Sequence, residues 1–146
     1  MVLLKEYSDV GFSFYTNNGS RKGQDISGNK NVAMLFYWPR LHRQVRIEGH
    51  IERLPDSAAA EYWNTRPIES RIGSKSSEQS TVIPSRDVRS SLDSEGGYQL
   101  VPRYFEFWQG QSNLLHDRLI FDRKKPEAEE MVKEAEDGWF LYRLSP

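Results

Sequence analysis

The chain has 146 residues, and at roughly 150 residues per domain that length argues for a single domain with a core of its own. Its 20 Lys and Arg against 21 Asp and Glu leave a formal net charge of −1; a nucleic-acid binder carries a basic footprint, so any phosphate recognised here is small and met locally. No cysteine is present, which excludes disulfides, thiolate zinc sites and a cysteine nucleophile, and no apolar run suffices for a signal peptide or a membrane span, so a cytoplasmic location is expected.

In chain order, Val2–Tyr7 and Phe12–Asn17 read as two strands joined by a tight turn through Ser8, Asp9, Val10 and Gly11. Asn18-Gly19 is a second turn, and Ser20 is placed to cap a short helix running toward Asn29. Val32–Trp38 is a short apolar run of the kind that forms a buried strand. Arg43–Glu52 alternates: Val45, Ile47, Gly49 and Ile51 share one face, and Gln44, Arg46, Glu48, His50 and Glu52 share the other. Pro55 can open a helix with Asp56 beside its positive dipole end, and that helix should stop before Pro67.

Residues 68–91 are rich in Ser and Arg and read as loop with short helical turns. Glu95-Gly96-Gly97 reads as a turn, followed by strands at Tyr98–Val101, Tyr104–Gly110 and Arg118–Arg123. Pro126–Asp137 is acidic and predicts a solvated helix, and Trp139–Leu144 predicts a last strand. Several strands with few helices make a β-rich α+β fold, a small barrel with helical excursions.

Three segments concentrate chemistry. In Asn17–Lys22, two cations sit in the first turn of a helix, opposing its dipole. Such a pair is usually just solvated; it could also join backbone N–H groups and the Ser20 hydroxyl around a phosphate. Tyr62, Arg66 and Ser70 follow one another at spacings of four, which is ordinary for a surface face and also suits a phosphate monoester. The run Glu106–Arg118 sets Trp108, His116, Asp117 and Arg118 close to Gly110. A lone histidine is more often structural than catalytic, yet it is the side chain most easily moved across neutral pH. His42, His50 and His116 lack metal-ligand spacing, and neither a nucleophile elbow nor a Walker-type phosphate loop is present.

Together, VLLK at Val2–Lys5, FYTNNGSRK at Phe14–Lys22, RQVRIEG at Arg43–Gly49, YWNTRP at Tyr62–Pro67, EQS at Glu78–Ser80 and EFWQGQ…LHDR at Glu106–Arg118 resemble the pyridoxamine 5′-phosphate oxidase family, as does the terminal Leu144-Ser145-Pro146. The resemblance implies an FMN-binding split β-barrel with peripheral helices, a homodimer with flavin at the subunit interface. It implies oxidation of pyridoxine or pyridoxamine 5′-phosphate to pyridoxal 5′-phosphate, at CH–OH or CH–NH2 donors, with O2 reoxidising the flavin. On that likeness Arg21 and Lys22, with Gln79 and Ser80 across the dimer, match the positions that meet the FMN phosphate. Lys5, Tyr15, Thr16, Gln44, Trp108 and Arg118 match further flavin-contacting positions. Lys5, Tyr62, Arg66 and Ser70 match those that hold the substrate phosphate, while Leu114 and the catalytic candidate His116 fall where the family meets the substrate ring.

This sequence departs from the family pattern in three places. It begins inside the VLLK strand, so an N-terminal segment with an FMN-contacting Arg is expected to be missing. The stretch between Pro84 and Gly97 is shorter than usual, and Leu114 stands where the family places an Arg over the substrate ring. Leucine carries neither charge nor donor, so a flavin- or B6-phosphate-binding homologue with lost or reduced catalysis is the alternative to a working oxidase. The segment Lys124–Asp137 is additional and is assigned no role.

Overall fold

The structure is a computed structural model, and it describes residues 1–75, 95–127 and 129–146. The chain divides into two compact units, Met1–Lys30 with Ile51–Val101, and Asn31–His50 with Pro102–Pro146. Among the described residues no helix is long and apolar enough to cross a membrane.

In the first unit, β1 (Glu6–Tyr7) and β2 (Phe12–Asn17) form an antiparallel hairpin, closed by the Ser8 N–H on the Gly11 carbonyl at 2.9 Å. The expected Val2–Tyr7 strand is largely absent: beyond Tyr7 and Glu6, only the Lys5 N–H still reaches β2, on the Ser13 carbonyl. Val-Leu-Leu favours extended backbone, but a ladder also needs a partner strand, and propensity does not supply one. β2 also pairs antiparallel with the first part of β5 (Glu95–Gln109), from Phe12↔Leu100 to Asn17↔Glu95. Phe14 stacks on Tyr98 at 5.8 Å, and both are buried with Leu100, Ile51 and Ala59 as this unit's core.

β5 overturns the expected turn at Glu95–Gly97. It is one strand of 15 residues, and Gly96 and Gly97 are buried inside its ladder. These glycines serve close approach rather than chain reversal. A Cβ on Gly97 would lie 2.9 Å from the Tyr15 ring, and one on Gly96 would lie 2.2 Å from Asn18 Oδ1.

α1 (Arg21–Gly28) starts at Ser20 as expected. α2 (Asp56–Thr65) starts one residue later than the sequence suggests, with Pro55 as its cap, and ends before Pro67. Of the stretch expected as loop with short helical turns, Ile68–Lys75 is a two-turn helix, α3; residues 76–91 lie outside the described residues.

In the second unit, β3 (Asn31–Trp38) pairs antiparallel with β4 (Arg43–Arg53), whose residues from Ile51 onward belong to the first unit, in register from Asn31↔His50 to Trp38↔Arg43. A single 3₁₀ turn, Pro39–Leu41, and His42 in the left-handed region (φ 49°) connect them. β4 keeps its expected faces, with Ile47, Gly49 and Ile51 buried and Arg46, His50 and Glu52 exposed. The second part of β5 pairs with β6 (Asp117–Asp122), which pairs with β8 (Phe140–Arg143), and β8 pairs with β7 (Lys133–Glu134). Ile120 and Ile47 are fully buried, and Phe105, Phe107, Phe121 and Trp139 form a chain of ring contacts at 5.4–6.1 Å.

The helix expected over Pro126–Asp137 does not form. Short 3₁₀ turns at Glu129–Met131 and Glu136–Gly138 flank β7 instead, and Asp137 takes a left-handed φ of 55°. The apolar positions of EAEEMVKEAED, 128, 131, 132 and 135, do recur at helical spacing, but two of the four are alanines and a helix of that length is marginal unless a partner covers its apolar face. The architecture is β-rich α+β.

Candidate functional site

The start of α1 is built by its own turn. Ser20 Oγ donates to the Asn17 carbonyl at 2.7 Å and accepts from the Gly23 N–H at 3.3 Å, which satisfies one of the helix's unpaired first donors. Asn17 Oδ1 accepts from the Gly19 N–H at 2.8 Å, and Thr16 Oγ1 lies 3.4 Å from Ser20 Oγ. Gly23 is required here, because a Cβ would stand 2.3 Å from the Asn18 carbonyl oxygen. The structure thus corrects one expectation: Ser20 and Thr16 are buried and build the turn, so the Ser20 hydroxyl faces the cap and not an outside anion. Arg21 and Lys22 remain in the first turn. Arg21 is exposed and lies 3.9 Å from Asp25, a spacing at which an exposed pair contributes little.

Further along the same unit, rings and cations gather around Tyr62. Tyr15 on β2 stacks on Tyr62 of α2 with centroids 4.0 Å apart and planes 10° from parallel. Burial, then the nearby Glu6 and Glu61 carboxylates and Tyr62, push the Tyr15 phenol up. Lys5 Nζ sits 5.1 Å from the Tyr62 centroid, and Arg66 Cζ sits 5.8 Å from it and 5.5 Å from that of Trp63. These are cation–π distances. Arg66 is not on the helix face that the spacing suggested: it is the C-cap residue, extended at ψ 143° as a residue before proline prefers. Its Nη1 donates to both Glu95 carboxylate oxygens, at 2.7 and 2.9 Å, and its Nη2 to the Ser70 carbonyl at 3.3 Å. Ser70 therefore enters the cluster through its backbone.

The second unit carries the other cluster. Trp108 and Arg118 face each other across β5 and β6, and Glu106 is the diagonal neighbour of Arg118 on the same face. Arg118 Nε donates to Glu106 Oε1 at 2.7 Å, its Nη1 donates to the Ser145 carbonyl at 3.0 Å, and the Tyr104 hydroxyl lies 3.3 Å from the other Glu106 oxygen. The Arg118 hydrogen bond holds the Glu106 carboxyl below its ordinary range, against the opposing effect of burial. Burial and the adjacent Glu106 push the Tyr104 phenol up to about 12.

His116 packs against Trp108, with ring centroids 5.0 Å apart, and its Nδ1 accepts from the Gln111 N–H at 3.1 Å. An accepting Nδ1 assigns the neutral ring's proton to Nε2. Gly110 allows this packing: a Cβ there would lie 2.9 Å from Trp108 and 3.0 Å from His42, and its N–H bonds the His42 carbonyl at 2.7 Å. Leu114 belongs to the same turn, at φ 65° and 74% exposed. A left-handed φ on leucine costs roughly 1–2 kcal/mol. Gln44 is half-buried on β4, opposite Tyr37.

Of the residues singled out from sequence, the first unit gathers Lys5, Tyr15, Tyr62, Arg66 and the Ser70 backbone, and the second gathers Trp108, His116 and Arg118. Gln79 and Ser80 lie outside the described residues. Two carboxylates that hold the arginines were not singled out. Glu106 could have been found, because Tyr104, Glu106 and Trp108 alternate onto one strand face. Glu95 could not, since it lies 29 residues from Arg66.

Residues 1–90 match the family described as pyridoxamine 5′-phosphate oxidase, and residues 96–146 match the pyridoxine 5′-phosphate oxidase C-terminal dimerisation region. A pyridoxine/pyridoxamine 5′-phosphate oxidase of Bombyx mori is 48% identical over 99% of this chain and 65% of its own length. The chain spans between 64% and 72% of the length of such curated relatives. Among solved structures, PhzG from Burkholderia lata 383, in complex with tetrahydrophenazine-1-carboxylic acid, superposes with a TM-score of 0.81 at 24% identity, over 99% of this chain and 73% of that one. A pyridoxamine 5′-phosphate oxidase-related, FMN-binding protein from Nostoc punctiforme PCC 73102 gives 0.70 at 13%, over 99% and 79%. The fold is therefore the split β-barrel of these proteins, and the chain belongs to the pyridoxamine 5′-phosphate oxidase family.

Proposed function

We propose that this chain binds FMN and oxidises pyridoxamine or pyridoxine 5′-phosphate to pyridoxal 5′-phosphate, with O2 as electron acceptor. The observation that carries the reading is the Tyr62 cluster. It joins two cations, a phenol and a stacked ring pair at the positions where the family holds a phosphorylated pyridine. The donor chemistry also suits FMN, which needs cations for a phosphate, and amide, guanidinium and aromatic groups for a flat polar ring. Arg21 and Lys22 at the start of α1 would hold its phosphate, with Gln79 and Ser80. Lys5, Tyr15, Thr16, Gln44, Trp108 and Arg118 would line the rest. When bound, FMN supplies the two-electron redox chemistry, and the protein's own part is positioning and charge.

Lys5, Tyr62, Arg66 and Ser70 would hold the substrate phosphate, as cation, phenol, guanidinium and backbone or hydroxyl partner. His116 is the candidate catalytic residue. Its Nδ1 is engaged by the Gln111 N–H, which leaves the Nε2–H of the neutral ring as the donor that would meet the substrate ring. Glu106 and the Ser145 carbonyl aim the Arg118 guanidinium from two sides. The match of residues 96–146 to a dimerisation region supports a homodimer, and residues 1–146 are read as one functional domain. Phosphate esters do not cross membranes unaided, so the enzyme belongs with them in the cytoplasm.

The test is to purify the protein with FMN and add pyridoxamine 5′-phosphate without air. A yellow species of about twice the chain's 17.0 kDa, bleached by substrate and restored by air with release of peroxide, is the expected result. A colourless protein that takes up no FMN overturns the reading.

One observation favours a second reading, a flavin- or B6-phosphate-binding homologue with lost or reduced turnover. Leu114 offers only an exposed aliphatic chain where the family places a cation. Leu114→Arg is expected to raise kcat/KM for pyridoxamine 5′-phosphate by roughly two orders of magnitude, with FMN affinity unchanged. Steady-state kinetics checks it: brisk wild-type turnover with no gain in the variant removes the second reading.

A further inference from the structure

The Arg66–Glu95 pair sits where the proposed function needs a free cation. Both side chains are 18% exposed, and one guanidinium nitrogen serves both carboxylate oxygens. Arg66 lies beyond the end of α2 in extended backbone, so the helix does not dictate where its head group goes. Glu95 is different. It opens β5, paired with Asn17 in the β2–β5 ladder, and is fixed by the sheet. The cluster that would meet a phosphate dianion therefore contains Lys5 and Arg66 as cations and Glu95 as an internal anion already bonded to the second of them.

We propose that Glu95 is a specificity-setting positioning residue: its carboxylate occupies Arg66 in place of the substrate phosphate, and phosphate must displace it to bind. This rests on the reading that Lys5, Tyr62, Arg66 and Ser70 form the substrate-phosphate site. A phosphate oxygen and a carboxylate oxygen compete for the same Nη1 donor, and like charges on one guanidinium repel. Glu95 thus weakens every ligand whose phosphate enters the Arg66 site and leaves ligands without a phosphate there unaffected. An uncharged residue of the same size should restore the affinity that the competition removes.

The test titrates the FMN-supplemented protein calorimetrically with pyridoxal 5′-phosphate and, separately, with pyridoxal. Glu95→Gln is expected to tighten pyridoxal 5′-phosphate about tenfold, the effect of one charge-assisted contact regained. It should leave pyridoxal and FMN binding unchanged and lower KM for pyridoxamine 5′-phosphate at constant kcat. Arg66→Gln should weaken pyridoxal 5′-phosphate, and adding Glu95→Gln to it should bring no gain. Equal or weaker phosphate binding by Glu95→Gln, with Arg66→Gln weakened, overturns the role of Glu95 alone. Unchanged binding by Arg66→Gln overturns the phosphate site itself and the inference with it. If Glu95→Gln loses thermal stability, Glu95→Met, of similar length and without charge, is measured in its place against the same outcomes.

Discussion

Two arginines, one in each unit, are held by a carboxylate at the same distance of 2.7 Å, yet the backbone that carries them differs. Arg118 meets Glu106 across neighbouring strands of one sheet, and its second nitrogen is taken by the Ser145 carbonyl. Both ends of that pair are fixed by the ladder, so the guanidinium is aimed before any ligand arrives. Arg66 meets Glu95 from the extended junction between α2 and α3, and its second nitrogen is likewise taken by a carbonyl, that of Ser70. Hydrogen bonds of equal length therefore join two strands of one sheet in one unit and a strand to a helix junction in the other, and the second is the contact proposed above to be exchangeable. What separates them is the backbone that carries each partner.

The largest expected effect tests whether the first unit is a place for exchangeable anions at all. Arg21→Ala with Lys22→Ala removes two cations whose contacts to phosphate contribute about 1.5–3 kcal/mol each. FMN affinity should fall by at least two orders of magnitude in a calorimetric titration, with little loss of stability because the Ser20 cap is untouched. Unchanged affinity would leave the start of α1 as an ordinary solvated helix end.

Glu106→Gln tests the rigidity of the second unit. Loss of the charge-assisted bond should cost about 1.5–3 kcal/mol, toward the lower end because Arg118 is partly solvated, and thermal unfolding reads it directly. The same pair sets an acid limit. The folded-state pKa of Glu106 lies below its ordinary 4.5, so the folded protein resists protonation more than the unfolded chain does. That stabilisation is present above about 4.5 and is lost as pH falls through the lower folded value. In Glu106→Gln the corresponding part of the acid loss should vanish. If wild type and variant lose stability in parallel below that pH, the pair is not the fixture described.

The smallest effect concerns how tightly the first unit's rings are set. Gly97→Ala places a methyl 2.9 Å from the Tyr15 ring and 3.1 Å from Leu54, so the Tyr15–Tyr62 stack must shift. Overpacking of this kind costs about 1–3 kcal/mol, and the lower end applies here because Tyr15 is half-buried and can yield. Denaturant unfolding measures it, and pyridoxal 5′-phosphate affinity should fall with it. A stable variant with unaltered affinity would show that the stack is incidental to the site.

Much of the frame was legible in the sequence because short-range periodicity fixed it. The alternation of Arg43–Glu52 and the strand Phe12–Asn17 carry their burial pattern in the order of their residues, and Ser20 carries its cap in its hydroxyl. The apolar run Val32–Trp38 forms its strand but not the buried one expected, since Leu35, Tyr37 and Trp38 are exposed. The ordered motifs also identified the family, which no single contact would have done. Tertiary structure decided the remainder, for one recurring reason: the same residue type has two physical uses, and only its neighbours choose between them. Gly96-Gly97 can reverse a chain or admit a side chain from above; Tyr15 and Asn18, some 80 residues earlier, make it the second. The acidic run Pro126–Asp137 can be a helix only if something covers one of its faces, and it forms 3₁₀ turns and a short strand instead. Arg66 could be a free cation or a paired one, and a carboxylate 29 residues away, brought beside it by β5, settles that it is paired. Sequence spacing fixes what lies within a turn or a strand; which charge meets which across the fold depends on where the strands pair.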